Sequence, residues 1–305
     1  VQDMGMNLSG KTSETRNPRT MQLDQMSALE ILTVMNEEDA RVPLAIAKCL
    51  PQIAQAVTWA AESFEKGGRL FYMGAGTSGR LGVLDAAECP PTFGVPKEMV
   101  VGLIAGGEKA FIEAVEGAED SRELAVEDLK AHGLTANDFV VGIAASGRTP
   151  YVLGGLDYAK SVGCHTAAIA CNIGSAIGKA AELAIEVNCG PEVLTGSTRL
   201  KSGTAQKLIL NMISTGSMVR TGKAYQNLMV DVQQTNEKLH TRAENIVIDA
   251  TGVEREKARA AIDAAGGSVK TAITMLLADC DAAEAARRLE KARGHVREAI
   301  RLEVL

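Results

Sequence analysis

Glycine and hydroxyl side chains gather in Gly74-Ala75-Gly76-Thr77-Ser78-Gly79-Arg80, between a short apolar run and a segment of helical spacing. Glycines let a backbone approach a ligand closely, and the free N–H groups of a helix start point at an anion. Thr77 and Ser78 add two hydroxyls, so the stretch predicts a phosphate site. Ala144-Ala145-Ser146-Gly147-Arg148-Thr149-Pro150 repeats the design, with Pro150 suited to a first helical turn. Carboxylates stand near both. Glu88 follows the first stretch beside Cys89-Pro90-Pro91, where it need not be solvated, and Glu116, Glu119, Asp120 and Glu123 form an acidic run ahead of the second. Two carboxylates with separated pKa values can act as general acid and base without a metal. The acidic run equally suits a helix start, where negative charge complements the dipole.

Gly74-x-Gly76-x-x-Gly79 also matches the dinucleotide fingerprint by letter. That fingerprint needs an acid about 20 residues on, at the end of the second strand, to hold the ribose. Glu98 precedes the second apolar run, which ends instead in Ala105-Gly106-Gly107. A nicotinamide enzyme therefore lacks its ribose acid. Two donor-rich loops suit a monophosphate better than a pyrophosphate.

The elements that must position these residues alternate along the chain. Apolar runs at Leu70–Met73, Met99–Ile104, Phe139–Ile143, Thr166–Ala170 and Leu183–Val187 read as buried strands. Helical patterns at Ser78–Ala87, Lys109–Ala131, Pro150–Ser161 and Ser175–Ala181 lie between them, and a longer one follows over Ser202–Val219. Such alternation predicts an α/β fold, a doubly wound parallel five-stranded sheet with flanking helices. In a flavodoxin-like order, 2-1-3-4-5, the first and third strands are neighbours, and both hydroxyl loops face one crevice. Helices are expected over Leu23–Glu38 and over Asp39–Lys66, the latter kinked or split at Pro51. The tail is read as three helices, Val253–Ala265, Val269–Leu277 and Ala282–Glu303, the last either continuous or broken. The expected organisation is an N-terminal segment and helices over 1–65, the catalytic domain over 66–244 and a small C-terminal three-helix domain over 245–305.

Composition sets the class. The 305 residues are 46% hydrophobic and 23% charged, enough for a sizeable core. A net charge of -6 speaks against a general nucleic-acid or membrane surface. No apolar run reaches the ~18–20 residues of a membrane span, and no signal peptide is visible. The six cysteines show no CxxC pair and read as reduced thiols, so a cytoplasmic location is expected. His132, His165, His240 and His295 are scattered, with no metal-ligand spacing.

The two loops resemble the sugar isomerase (SIS) domain, a phosphosugar-binding module whose second loop reads S-x-S-G-x-T; here Ala144 stands at the first serine. Further stretches are similar to the N-acetylmuramic acid 6-phosphate etherase family. They are Thr15-Arg16-Asn17-Pro18, Leu81–Phe93, Glu116–Ser121, Gly190–Lys201 and Asn227-Leu228-Met229-Val230-Asp231. The resemblance runs from Thr15 onward. It implies a carbon–oxygen lyase that splits the D-lactyl ether at C3 of the sugar, with Glu88 as acid/base at C3 and Glu119 as base at C2. It implies phosphosugar contacts from Thr77, Ser78, Ser146, Gly147 and Thr149, no cofactor or metal, and a homodimer. Thr195–Lys201 begins the long helix with capping residues, and Glu192, Ser197, Thr198 and Lys201 are equally expected to contact sugar hydroxyls, the lactyl carboxylate or the phosphate. The alternative is a non-catalytic SIS sensor, which needs the hydroxyl loops but not both carboxylates. The segment Gly252–Leu277 resembles a ubiquitin-associated-like fold, expected to pack on the main domain or a partner subunit rather than bind ubiquitin.

Overall fold

The computed structural model describes residues 12–113, 115–234 and 237–302. The first eleven residues of the expected N-terminal segment, and Glu303 at the expected end of the last helix, lie outside that range. The chain opens on α1 (Ala28–Asp39), α2 (Val42–Ala47) and α3 (Leu50–Glu65). Ser27 and Glu30 form a reciprocal capping box at the start of α1. The helix expected over Asp39–Lys66 breaks at Lys48-Cys49. Pro51 thereby falls in the first turn of α3, where a missing N–H costs nothing. α3 buries Ile53, Ala56, Ala60 and Phe64, spaced for one face, and lies against the sheet.

The strands β1 (Leu70–Gly74), β2 (Val100–Ile104), β3 (Phe139–Ile143), β4 (His165–Ala170) and β5 (Leu183–Glu186) form one parallel sheet in the order β2-β1-β3-β4-β5. β1 and β3 are buried throughout, which explains their continuous apolar runs. Gly74 pairs with Ile143, so the carboxyl ends of β1 and β3 lie side by side. This is the switch point of the sheet.

Between the strands run α4 (Gly76–Phe93), α5 (Lys109–Ile112), α6 (Arg122–Ala131), α7 (Pro150–Val162) and α8 (Ala176–Ala180), followed by α9 (Lys201–Arg220). α4 outlasts its expected end at Ala87 and passes through Pro90 and Pro91, which supply no N–H to the carbonyls of Ala86 and Ala87. The pattern read as one helix over Lys109–Ala131 is two. Gly117 adopts φ +74, and the Ser121 side chain caps α6 by accepting from the Leu124 N–H. One face of the sheet packs Phe71, Met73 and Val140 against Tyr151, Val152 and Leu156 of α7.

Contacts divide the chain into two compact units, Val1–Ala87 with Glu98–Ile213 and Glu88–Lys97 with Ser214–Leu305; α4 and α9 each run from one into the other. The second unit holds β6 (Ala224–Tyr225) and β7 (Leu228–Met229), a hairpin with Gln226 at φ 54. It also holds α10 (Glu237–Thr251), α11 (Arg255–Ala264), α12 (Val269–Ala278), α13 (Ala282–Lys291) and α14 (Val296–Arg301). Among the described residues α11, α12 and the broken pair α13–α14 stand where the three tail helices are expected, and α10 is the helix that was not expected. α10 carries a polar first half that hides its register, and Arg293 and Gly294, both left-handed, split the last helix. Val247, Ile262, Val269, Ile273 and Val296 form the core of this unit.

Gly102 shows how closely α4 lies on the sheet. A Cβ there would stand 2.5 Å from Val83 Cα and 2.7 Å from Val83 N. Strand propensity alone favours valine over glycine. Backbone overlap decides the sign: Gly102→Val is expected to destabilise by about 1–3 kcal/mol, read as a lower urea midpoint at unchanged m-value.

Candidate active site

The first loop is tighter than its sequence suggests. α4 begins at Gly76, so Thr77 and Ser78 sit inside its first turn and the N–H groups of that turn face the carboxyl end of β1. A Cβ on Gly79 would stand 2.6 Å from the Gly74 carbonyl oxygen and 2.7 Å from Ile104, so this glycine admits the helix against the strand. Thr77 is half-buried, with its methyl beside Gly203 in the first turn of α9. Ser78 is buried and donates through Oγ to Gln206 Oε1 at 3.1 Å. Gln206, one turn into α9, has no cue in the sequence; only the fold brings it to Ser78.

The second loop leaves β3 at Ile143. Gly147 adopts φ +73, and a Cβ there would stand 2.3 Å from Ser175 Cβ, so both backbone and space require glycine. Ser146 Oγ is half-buried and accepts the Arg148 N–H at 3.3 Å. Thr149 is buried and donates to Glu119 Oε1 at 2.9 Å, while the Glu119 carbonyl accepts the Tyr151 N–H at 2.9 Å. Two bonds therefore fasten the acidic turn to the start of α7. Of the four acids in the run, Glu119 has its carboxylate on the second loop, and it is exposed to solvent there. Glu123 instead accepts from Ser121.

The segment before α9 departs from its expected part. Glu192 is fully buried; one carboxylate oxygen accepts the Lys201 N–H and the other the Ser202 N–H and hydroxyl, all at 2.9 Å. Through these bonds it caps the start of α9. Lys201 is 1% exposed, and its ammonium donates to Glu38 Oε2 at 2.6 Å and to the Cys189 carbonyl at 2.9 Å. That ammonium ties α9 to α1 and to the segment before α9. Glu38 also accepts from Asn17 at 3.1 Å and from Arg19 at 3.0 Å, and Arg41 lies 3.3 Å away. Burial alone raises the Glu38 pKa; its bonds to Lys201, Arg19 and Asn17 outweigh that and hold it below the usual carboxylate range. The Thr15–Pro18 motif is thus an anchor, through Asn17 to Glu38 and to the Pro191 carbonyl. Sequence reasoning missed Glu38, although it stands four residues after Val34 on the buried face of α1. Ser197 and Thr198 lie half-buried in the turn that these bonds hold.

Glu88 lies on α4, within the stretch grouped with the second unit. It is exposed, so the shielding expected from Cys89-Pro90-Pro91 does not occur in this chain. Among the described residues no helix is long and apolar enough to cross a membrane.

A parallel sheet with two hydroxyl loops at the ends of β1 and β3 defines a SIS-type phosphosugar module. Residues 52–160 match the profile of the glucokinase regulatory protein N-terminal SIS domain, and residues 123–215 that of the SIS domain. A Bacteroides fragilis protein described as a phosphosugar isomerase involved in capsule formation shares the fold, with a TM-score of 0.50 at 21% identity over 66% of this chain and 95% of that one. An N-acetylmuramic acid 6-phosphate etherase of an Exiguobacterium species is 64% identical over 94% of this chain and 98% of its own length. That of Serratia proteamaculans is 61% identical over 97% and 99%, and that of a Geobacillus species 61% over 95% and 98%. The chain belongs to the N-acetylmuramic acid 6-phosphate etherase family.

Removing the Lys201 ammonium leaves a buried carboxylate short of its closest counter-charge. Lys201→Met is expected to cost about 3 kcal/mol in urea unfolding. Stability from Glu38 is present above the ordinary glutamate value of about 4.3 and lost as pH falls through its lower folded value. Glu38→Gln is therefore expected to flatten the loss of thermal midpoint between about pH 5 and pH 3. An equally steep loss in that variant would assign acid sensitivity elsewhere.

Proposed function

We propose that this chain is a carbon–oxygen lyase that converts N-acetylmuramic acid 6-phosphate and water into N-acetylglucosamine 6-phosphate and D-lactate, in the recycling of cell-wall sugars. The observation that carries the reading is the 2.9 Å bond from Thr149 to Glu119, which holds a carboxylate at the mouth of a hydroxyl loop in a chain of this family. Thr77, Ser78, Ser146 and the Gly147 turn receive the phosphate. Thr149 orients Glu119, and Ser197 and Thr198 offer donors to the lactyl carboxylate.

An ether oxygen is a poor leaving group, so the reaction proceeds through the open-chain aldehyde, whose carbonyl acidifies the C2 hydrogen. Glu119 takes that proton. The electron pair left at C2 forms the C2–C3 double bond and breaks the C3–O bond, while Glu88 gives its proton to the departing lactyl oxygen. Glu88 then removes a proton from the water that adds to C3 of the unsaturated aldehyde, and Glu119 returns a proton to C2. Each carboxylate ends in its starting state. A sensor of sugar phosphate needs neither step, and the presence of both acids favours catalysis.

The working form is assigned to a homodimer in the cytoplasm.

Ser78→Ala and Ser146→Ala each remove a donor to a charged acceptor, worth about 1.5–3 kcal/mol. Substrate affinity is expected to fall roughly ten- to a hundredfold per site with the fold intact. Unchanged affinity in both variants would sink the loop assignment.

Isotope exchange separates the two acids. In heavy water Glu88→Gln is expected to exchange the C2 hydrogen of N-acetylglucosamine 6-phosphate with solvent while lactate release almost stops. Glu119→Gln is expected to lose both, each loss being about 10²–10⁴-fold. Exchange surviving in the Glu119 variant alone would reverse the roles. Full activity in both would end the two-carboxylate mechanism.

A further inference from the structure

Gln206 is 1% exposed, and its Oε1 accepts the Ser78 hydroxyl proton at 3.1 Å. Its Nε2 is buried without a hydrogen-bond partner among the described residues. The two facts belong together. A serine hydroxyl has one proton and two lone pairs, whereas a carboxamide offers acceptor lone pairs on one side and two N–H donors on the other. With its proton on Gln206, Ser78 presents only lone pairs to the first loop. A phosphate dianion is acceptor-only at its oxygens, so this arrangement opposes it. Meanwhile a buried donor goes unmet, which folded proteins rarely tolerate without a purpose.

A half-turn of the amide about Cγ–Cδ exchanges the places of Oε1 and Nε2 and suits the phosphate. Nε2 then donates to Ser78 Oγ, and the freed hydroxyl proton points at the phosphate. The hydrogen-bond chain reverses its direction, from Ser78→Gln206 in the empty loop to Gln206→Ser78→phosphate in the filled one. An acceptor-only guest drives the turn. A sugar hydroxyl in the same place can donate to Ser78 and leave the amide as it is. We propose that Gln206 is a specificity-determining positioning residue that turns over when a phosphomonoester binds and hands the Ser78 proton to it. This rests on the reading that Ser78 receives the substrate's phosphate.

The test is a double-mutant cycle read by calorimetric titration with N-acetylglucosamine 6-phosphate. Gln206→Glu at pH 8 can accept from Ser78 but never donate to it. It is expected to weaken binding at least tenfold, against less than about fivefold for Gln206→Met, which holds the Ser78 proton in neither direction. In the Ser78→Ala background the Gln206→Glu penalty is expected to fall to within about threefold, because the amide acts through that hydroxyl. An equal penalty in both backgrounds would mean direct charge repulsion and would overturn the proposal. If Ser78→Ala itself leaves binding unchanged, the phosphate reading of the loop fails instead. A measurement on the unsubstituted protein guards against a misfolded variant. The Gln206 side-chain N–H₂ resonances, assigned by their loss in Gln206→Met, are expected to shift on saturation with N-acetylglucosamine 6-phosphate and to stay in place with N-acetylglucosamine. Resonances that do not move with the phosphosugar would overturn the proposal as well.

Discussion

The pairing of Glu38 with Lys201 is the constraint on which the walls of the site depend. Each charge is about 1% exposed, and removing either from water costs several kcal/mol. Such a pair persists because its remaining bonding capacity is filled, by Asn17, Arg19 and Arg41 on one side and the Cys189 carbonyl on the other. Those bonds join α1, the segment before it, the turn over 189–200 and the first turn of α9. Glu192 completes the arrangement by meeting the N–H groups of Lys201 and Ser202. The start of α9 is thereby held against the first loop, where Gly203 meets Thr77 and Gln206 meets Ser78.

The two loops use their hydroxyls differently despite similar composition. In the first, Thr77 and Ser78 belong to a helix and are directed by it. In the second, the chain turns on Gly147 before the helix begins, and Thr149 is spent on holding Glu119 rather than pointing outward. A hydroxyl beside a glycine thus marks a site without saying which group it will serve. Adjacency of β1 and β3 brings the two loops to neighbouring strand ends, and parallel pairing of Gly74 with Ile143 sets their level.

What the sequence discloses follows from what each signal measures. Strands buried on both faces leave unbroken apolar runs, so Leu70–Gly74 and Phe139–Ile143 stand out within a residue. α4 was harder to end, because paired prolines ordinarily close a helix and here do not. Residue type says nothing of direction. Glu192 and Lys201 have the chemistry of ligands, yet both turn inward, as only the packing reveals. Spacing does not tell Glu119 from its acidic neighbours, and its bond from Thr149, thirty residues away, is a contact that no local pattern discloses. Gln206 and Ser78 are 128 residues apart, and no local pattern links them. In the tail, the polar opening of α10 hides its helical spacing, while left-handed Arg293 and Gly294 fix where the last helical pattern breaks.

The separation of Glu38 from Lys201, 163 residues, also orders events during synthesis. A ribosome adding about 5–20 residues per second needs roughly 8–33 seconds to travel from one to the other. Until Lys201 is made, only Arg19 and Arg41 are at hand to meet the Glu38 carboxylate, and both of them belong to the same end of the chain. β1 to β5 are all made before the residue that ties α1 to α9. Nascent chains halted before Lys201 would expose the buried face of α1 to chaperones and proteases, whereas those halted well beyond it would not.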